Sequence, residues 1–167
     1  YRVNSNDGGQ IIGRNGHGDY AGIVIPYRRP GETSIREYQL RVDNPDLELK
    51  ADGTTREKAK YLFPPKRSNL LYFPPGVTPA MLADTNLPMV LTEGFKKGLA
   101  LQRLATEGHE SPQFLPIALS GVWSWRGTVG RDAGPGGGRR AVKGPIADFA
   151  RIAWEGRIIY ILFDSDA

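Results

Sequence analysis

An unbroken apolar run, residues 158–163, is the feature of this sequence that most constrains its fold. The run stands between Arg157 and Asp164, and its length is that of a β-strand rather than of a helix. A strand that is apolar at every position is typical of the interior of a parallel sheet, where helices cover both faces. We therefore expect these residues to form a strand that is buried on both faces.

The segments that precede this run alternate between strand and helix patterns. Residues 89–92 and 115–119 are short apolar segments with the length of strands. Residues 94–107 and 145–154 carry apolar side chains at helical spacing, and a glycine follows soon after each as a stop signal. The resulting order of strand, helix, strand, helix and strand predicts a βαβαβ unit with a parallel sheet and right-handed crossovers.

The first half of the chain has a different pattern, made of short strands separated by proline, glycine and polar turns. The predicted strands are residues 22–27, 35–42, 60–63 and 70–73. Short strands that are linked by turns favour antiparallel pairing. We therefore predict an α/β protein, α+β overall, with a β-rich antiparallel segment at residues 1–78 and an α/β domain at residues 79–167.

Acidic side chains follow two of the strands of the predicted parallel sheet. Glu93 comes directly after residues 89–92, and Asp164 and Asp166 come after the last strand. Because open α/β sheets collect ligands at the carboxyl ends of their strands, we expect these three carboxylates to converge at one edge. Converging carboxylates repel one another unless a cation lies among them, and Mg²⁺ is a hard cation that prefers such oxygen ligands. Two simpler interpretations stay open here, a glutamate that stabilises a helix dipole and a solvated Asp-x-Asp turn.

Two of these motifs resemble the signatures of the TOPRIM domain, which bacterial primases, topoisomerases and certain nucleases share. Residues 90–94 read Val-Leu-Thr-Glu-Gly, and residues 161–166 read Ile-Leu-Phe-Asp-Ser-Asp. The resemblance implies that Glu93 acts in acid/base or metal chemistry and that Asp164 and Asp166 bind Mg²⁺, for which Mn²⁺ can substitute. All three residues are therefore candidate catalytic residues and candidate metal ligands.

A second resemblance covers more of the chain. Residues 23–26, Arg41 and residues 60–62 are similar to the segment that precedes the TOPRIM domain in bacterial primases. Residues 93–97, 120–123 and 163–167 are similar to motifs of an uncharacterised TOPRIM-like family in replication proteins of phages and mobile elements. Primases usually carry an aspartate where Lys97 stands. The chain also stops before the last strand and helix of such a domain, so we expect the domain to be truncated at its C-terminus.

Cationic side chains near these motifs are candidates for contacts with phosphate groups. Lys96 and Lys97 lie at the start of a predicted helix beside the acidic edge, where a helix N-terminus also favours anions. The primase resemblance implies that Arg41 and Lys60 contact template or nucleotide phosphates. Each of these residues is otherwise an ordinary exposed polar position, and the sequence leaves that alternative open.

Residues 126–144 form a glycine-rich segment with several basic side chains, among them Arg139 and Arg140. The segment is not a phosphate-binding loop of the Walker A type, because it lacks the Gly-Lys-Ser/Thr ending. We interpret it as a mobile basic loop that settles on nucleic acid, or else as an unstructured insertion. Trp123 and Trp125 precede it, and they either stack on bases or pack in the core.

Composition excludes several kinds of site. The chain has no cysteine and two histidines, so disulfides are excluded and a zinc site would lack ligands. The net charge of +4 favours a polyanionic partner. No apolar run approaches the roughly 18 residues that a membrane span needs. We expect a cytoplasmic protein without a membrane partner, and a chain that is a fragment of a longer protein.

These features together predict Mg²⁺-dependent nucleotidyl or phosphoryl transfer on nucleic acid. The leading form, which the two resemblances imply, is primase-like primer synthesis in the DNA replication of a phage or mobile genetic element. The expected partners are a single-stranded DNA template and nucleoside triphosphates, with a helicase domain or subunit as a further partner. The alternatives are a TOPRIM-type nuclease and a catalytically inactive module of a replication protein that binds single-stranded nucleic acid.

Overall fold

A computed structural model describes residues 1–14, 16, 18–134 and 137–165 of the chain. The chain divides into two compact units. The first contains Tyr1–Arg28 and Ser34–Arg67, and the second contains Arg29–Thr33 and Ser68–Ala167. The segment boundary that the sequence predicts between residues 78 and 79 rests on the change in strand and helix pattern along the chain, and it stays a prediction. None of the described helices combines the length and the apolar composition that crossing a membrane requires.

The first unit is built on a four-stranded antiparallel sheet with the strand order β1-β2-β3-β6. A separate two-stranded ribbon, β4–β5, lies between β3 and β6 in the sequence, where no strand was predicted. The elements of this unit are β1 (Arg2–Val3), α1 (Ser5–Ile11), β2 (Gly22–Tyr27), β3 (Glu37–Val42), β4 (Leu47–Leu49), β5 (Thr55–Glu57) and β6 (Tyr61–Leu62). The antiparallel arrangement predicted for residues 22–27, 35–42 and 60–63 is confirmed. The strand predicted at residues 70–73 is wrong, because Tyr72 forms only an isolated bridge with Ala118.

Helix α1 is an element that the sequence pattern did not predict. Its sequence includes Gly8 and Gly9, and interior glycines lower helix propensity. The structure gives a reason for one of them, since a Cβ on Gly8 would lie only 2.0 Å from the backbone oxygen of Tyr20. Asn4 caps the helix by accepting a hydrogen bond from the Asp7 backbone N–H. Close packing and capping therefore outweigh the weak local propensity.

The second unit is built on a three-stranded parallel sheet with the strand order β11-β7-β8. Its elements are α2 (Pro79–Ala83), β7 (Met89–Glu93), α3 (Phe95–Thr106), β8 (Leu115–Leu119), β9 (Arg126–Ala133), β10 (Arg139–Pro145) and β11 (Ile159–Leu162), with 3₁₀ helices at Val122–Trp125 and Ala147–Arg151. The mixed α/β class and the parallel sheet of three strands are as predicted.

Helix α3 connects β7 to β8 and packs closely against them. Gly98 makes this approach possible, because a Cβ at that position would lie 3.0 Å from the Cβ of Ala118. Leu101 and Ala105 are the buried apolar side chains of the helix. The unit's core continues with buried side chains from the strands and from α2, which are Met81, Leu82, Met89, Leu91, Leu115, Ile117 and Leu119.

The second predicted helix, at residues 145–154, is wrong in its start and its type. Strand β10 runs through Pro145, and only a 3₁₀ helix, Ala147–Arg151, follows it. The buried carboxylate of Asp148 accepts a hydrogen bond of 3.0 Å from the Leu71 backbone N–H. This tertiary contact and the pairing of β10 with β9 favour the shorter helix over the helical pattern. The glycine-rich segment at residues 126–144 is likewise a β-ribbon over its described residues, not a loop.

The expectation that the last strand is buried on both faces is also wrong. β11 is an edge strand, and all four of its residues are exposed, with Ile161 at 65%. In the described part of the chain β11 pairs with β7 alone. The apolar pattern therefore predicted the strand correctly, but it did not predict that the faces of the strand are exposed. Ile159 and Ile161 line an apolar groove of about 660 Å³ together with Trp125, Phe149 and Trp154.

Arg157 is a buried cation that ties the start of β11 to α2 and its surroundings. Its guanidinium group donates hydrogen bonds of 2.8–3.3 Å to the backbone oxygens of Met81, Leu82, Leu87 and Ala153. Burial lowers the pKa of this guanidinium below its ordinary value. The contacts compensate the desolvation of the charge by saturating its donors.

Replacing Arg157 with methionine is expected to lower the free energy of unfolding by about 3 kcal/mol, because it leaves buried carbonyl groups without donors. Chemical denaturation followed by circular dichroism measures this change. The matched control is Arg151→Met, since Arg151 is exposed and its loss should cost less than about 0.5 kcal/mol. Equal stability of the two variants would show that the Arg157 contacts do not hold this region together.

Candidate functional site

The parallel pairing of β7 and β11 brings Glu93 and Asp164 together. Glu93 is the last residue of β7, and Asp164 follows β11 by two residues. The Asp164 backbone N–H donates a hydrogen bond of 3.3 Å to Glu93 Oε1. The Thr92 hydroxyl group donates a hydrogen bond of 2.8 Å to the Leu162 backbone oxygen and joins the same two strand ends. The predicted convergence of Glu93 and Asp164 at the carboxyl edge of the sheet is what the structure has.

Helix α3 begins directly at this edge. Gly94, its N-cap residue, has a φ of 74°, a left-handed conformation that glycine adopts without strain. The Gly94 backbone N–H donates a hydrogen bond of 2.6 Å to the Leu119 backbone oxygen at the end of β8. This sharp turn starts the helix immediately after Glu93. Lys97 is therefore one helical turn from Glu93 and on the same side of the helix.

Lys97 bridges the two carboxylates. Its Nζ atom lies 2.9 Å from Glu93 Oε1 and 2.6 Å from Asp164 Oδ1. The side chain of Glu93 is largely shielded, at 16% exposure, whereas those of Lys97 and Asp164 are 39% and 64% exposed. The three groups form one cluster, which we call the Glu93–Lys97–Asp164 cluster. It is open to solvent on the side of Asp164.

The pKa values of the cluster follow from these contacts. The hydrogen bond from Lys97 is the largest cause that holds the pKa of Asp164 below its ordinary value, and the hydrogen bond with Glu93 is the second. The hydrogen bonds to Asp164 and Glu93 raise the pKa of Lys97 above its ordinary value. Asp164 therefore stays ionised to a lower pH than an ordinary aspartate does, and Lys97 stays protonated to a higher pH than an ordinary lysine does. The ionic pairing is present throughout the neutral range.

The chemistry of this cluster is that of a cation site. Two carboxylate oxygens from different strands already contact one cation, which is the ammonium group of Lys97. The described residues contain no group of three or more acidic, histidine or cysteine side chains placed to hold a metal. Asp166, the third predicted ligand, lies outside those residues. Glu93 and Asp164 supply two carboxylate groups, which are the donor type that a divalent ion such as Mg²⁺ prefers.

The other predicted phosphate contacts are not members of this cluster. Lys96 is exposed on α3 and does not bridge the carboxylates. Arg41 and Lys60 belong to the first compact unit, where Arg41 lies 3.9 Å from Asp43 and Lys60 pairs with Glu57. Arg139 and Arg140 lie on β10 of the second unit. Their proposed contacts with nucleic acid stay predictions.

Two features of this unit were missed in the sequence. Arg126 lies over the rings of Trp123 and Trp125, with its guanidinium carbon 5.1 and 6.0 Å from the two ring centroids. The Trp-Ser-Trp-Arg sequence at residues 123–126 was the available signal, because an arginine next to two indoles is placed for cation–π contact. The buried Asp148 was the second feature, and its sequence offers no signal that separates it from a surface aspartate.

Comparison with known proteins identifies a family for the second unit. The model of a domain of unknown function, DUF3854, matches residues 79–167, more than half of the chain. The match covers α2, the whole parallel sheet and all three residues of the cluster. No curated protein and no solved structure matches the chain.

Proposed function

This chain belongs to the DUF3854 family, and we propose that it carries out Mg²⁺-dependent nucleotidyl or phosphoryl transfer on nucleic acid. Primase-like primer synthesis in the DNA replication of a phage or mobile element is the form that we favour. The observation that supports this proposal is the convergence of Glu93 and Asp164 on a single cation at the carboxyl edge of a parallel sheet. Acidic oxygen ligands at such an edge suit the metal chemistry of phosphate groups.

In this proposal Glu93, Asp164 and Asp166 would hold the divalent ion. When bound, Mg²⁺ supplies positive charge that neutralises phosphate oxygens as the transition state develops. Glu93 is the most shielded member of the cluster, and it is also placed to accept a proton from an attacking hydroxyl group. The sequence resemblance to TOPRIM domains supports the same three residues.

Lys97 has a separate role in the proposal. Its ammonium group lies between two carboxylates, and its side chain is 39% exposed to solvent. A phosphate group that approaches the start of α3 meets this cation and the positive end of the helix dipole. We propose that Lys97 contacts the phosphate, which would leave Glu93 and Asp164 as the residues that hold the divalent ion.

The proposed partners are a single-stranded DNA template and nucleoside triphosphates, together with a helicase domain or subunit, in the cytoplasm. Arg41, Lys60 and Lys96 are proposed contacts for template or nucleotide phosphates. A template-directed assay tests the activity by following the extension of nucleotides on single-stranded DNA with Mg²⁺ present. Cleavage of DNA without nucleoside triphosphates would instead identify a TOPRIM-type nuclease.

A module that binds nucleic acid without chemistry is the second candidate function. The observation that favours it is that the Lys97 ammonium group pairs with both Glu93 and Asp164. Such a module would bind single strands equally well in Mg²⁺ and in a chelator, with affinity that falls steeply as salt rises. An absence of primer synthesis and of cleavage, combined with Mg²⁺-independent binding, would favour this candidate.

A further inference from the structure

The β9–β10 ribbon concentrates the net charge of the chain. Residues 126–145 carry five cations and one carboxylate, for a net charge of +4, which equals the net charge of the whole chain. The remainder of the chain is therefore neutral overall. Almost every residue of the two strands is exposed, so the ribbon presents its charges to solvent. Its position in the sequence of the second unit, between the parallel strands β8 and β11, links it to the domain that carries the cluster.

The arginines of this ribbon are not neutralised by carboxylates. Within the part of the chain that the structure describes, Arg126, Arg131, Arg139 and Arg140 form no ion pair. The β4–β5 ribbon of the first unit is a direct comparison, because its cations are paired. Arg56 lies 2.8 Å from Glu48, and Lys58 lies 3.8 Å from Asp46. Exposure alone therefore does not explain the unpaired charges on β9–β10.

The strand register places two of these arginines on one face. Arg131 is opposite Ala141, and Arg139 is opposite Ala133, two residues farther along β9. Side chains two residues apart on a strand share a face, so Arg131 and Arg139 are diagonal neighbours. Arg140 is opposite Asp132 on the other face. One face of the ribbon is thus cationic, and the other is closer to neutral.

An exposed aromatic platform lies at the base of the ribbon. Trp123 is 69% exposed, although tryptophan is usually one of the more buried residue types. The guanidinium group of Arg126 lies 5.1 Å from the centroid of the Trp123 ring and 6.0 Å from that of the Trp125 ring. Arg126 is opposite Pro145 and Arg131 is opposite Ala141, because the register shifts between Val142 and Lys143. The two pairing positions are therefore an even number of residues apart on β10, roughly 14 Å, which places Arg126 on the face of Arg131 and Arg139 and leaves room for a few consecutive phosphates.

We propose that the Arg131–Arg139 face and the Trp123 platform together form a docking surface for single-stranded nucleic acid. The arginines would contact successive phosphates, and an unstacked base would lie on the Trp123 ring. The inference that the partner is a nucleic acid rests on the proposed function, but binding at this surface does not require the metal. It also offers no set of directional groups for base edges, so binding is tolerant of sequence.

Two features favour a single strand over other polyanions. A duplex keeps its bases stacked on one another and has none to place on an exposed indole. Binding to an anionic membrane is favoured by apolar side chains that enter the bilayer. The sequence between the two strands, residues 134–138, consists only of glycine and proline. A single strand offers phosphates to the arginines and an unstacked base to the Trp123 indole, so it is the partner that uses both.

The test is the binding of a short fluorescein-labelled oligothymidylate to the whole chain, measured by fluorescence anisotropy in a chelator over a range of salt. Trp123→Ala is expected to weaken binding by about tenfold or more. Arg131→Ser combined with Arg139→Ser should weaken it further and make the salt dependence shallower, with the slope of log K against log[salt] reduced by about 1.4. Trp123→Phe, which keeps an aromatic face, should restore most of the affinity lost in Trp123→Ala.

The matched control is Arg56→Ser combined with Lys58→Ser. This control also removes two positive charges, but from the other exposed ribbon, so the variant should bind the oligonucleotide nearly as well as wild type does. Equal losses in the two double variants would overturn the proposal, because net charge alone would then explain binding. Tighter binding to a duplex, or binding to phosphatidylglycerol vesicles but not to the oligonucleotide, would also overturn it. Asp164→Asn should bind normally in the chelator, which separates failure of this surface from failure of the metal chemistry.

Discussion

Primer synthesis is expected to fall by about 10²-fold or more when Asp164 is replaced with asparagine. The asparagine side chain has nearly the same size, but it carries no charge and cannot balance a divalent ion. The Asp164 backbone N–H that contacts Glu93 is unchanged by the substitution, so the strand ends should stay together. Extension of nucleotides on single-stranded DNA, measured at saturating Mg²⁺, gives the rate for wild type and variant.

The control for this substitution is Glu155→Gln, which removes one negative charge from an exposed position between Trp154 and Gly156. Its rate should stay within about twofold of wild type, as for a surface substitution away from the site. A rate for Asp164→Asn that matches the Glu155→Gln rate would remove Asp164 from the proposed chemistry. Circular dichroism of both variants verifies that their folds are the same.

Replacing Lys97 with methionine is expected to change metal binding and activity in opposite directions. Without the ammonium group, Glu93 and Asp164 lose the cation that separates their charges, so the affinity for Mn²⁺ should rise by about tenfold. Primer synthesis should fall by about 10²-fold, because the side chain proposed to meet the phosphate is gone. The titration of Mn²⁺ by electron paramagnetic resonance measures the first effect, and the primer assay measures the second.

Lys96→Met provides the comparison, since Lys96 is the neighbouring residue on α3, is exposed and does not bridge the carboxylates. It should leave Mn²⁺ affinity unchanged to within about twofold. Weaker Mn²⁺ binding in Lys97→Met than in wild type would contradict competition between the ammonium group and the metal. It would show instead that Lys97 strengthens the binding of the metal ion.

The parallel sheet and its central helix could be predicted because their sequence signals are local and agree with one another. Apolar runs of strand length gave β7, β8 and β11, and Gly94 and Gly108 bracketed α3 closely. Burial of β11 could not be predicted in the same way. A continuous apolar run indicates a strand, but whether another element covers its faces depends on the rest of the fold.

The ribbon and α1 were missed for the opposite reason, since their local signals favour loops. Glycines make up much of residues 126–144, and α1 contains Gly8 and Gly9. In both places longer-range contacts decide the conformation: β9 pairs with β10 along most of its length, and Gly8 lies against Tyr20. Propensity is a weak guide where the stabilising partner is distant in the sequence or where only glycine fits.

Most of the cluster could be predicted, but its internal arrangement could not. The rule that carboxyl ends of parallel strands share an edge predicted the meeting of Glu93 and Asp164. The spacing of four residues on a helix places Lys97 beside Glu93. That Lys97 also reaches Asp164 depends on the register between β7 and β11, which the sequence does not specify.

Calorimetric titration of Mn²⁺ into wild type, Glu93→Gln, Asp164→Asn and the double variant tests most directly whether the two carboxylates form one metal site. If both residues ligate the same ion, each single variant should lose most of the binding. The double variant should then lose little more, so that the two effects are strongly non-additive. The titration is repeated with pyrophosphate present as a phosphate ligand. The account would be contradicted if the wild type bound no Mn²⁺ even then, or if the losses in the two single variants simply added in the double variant.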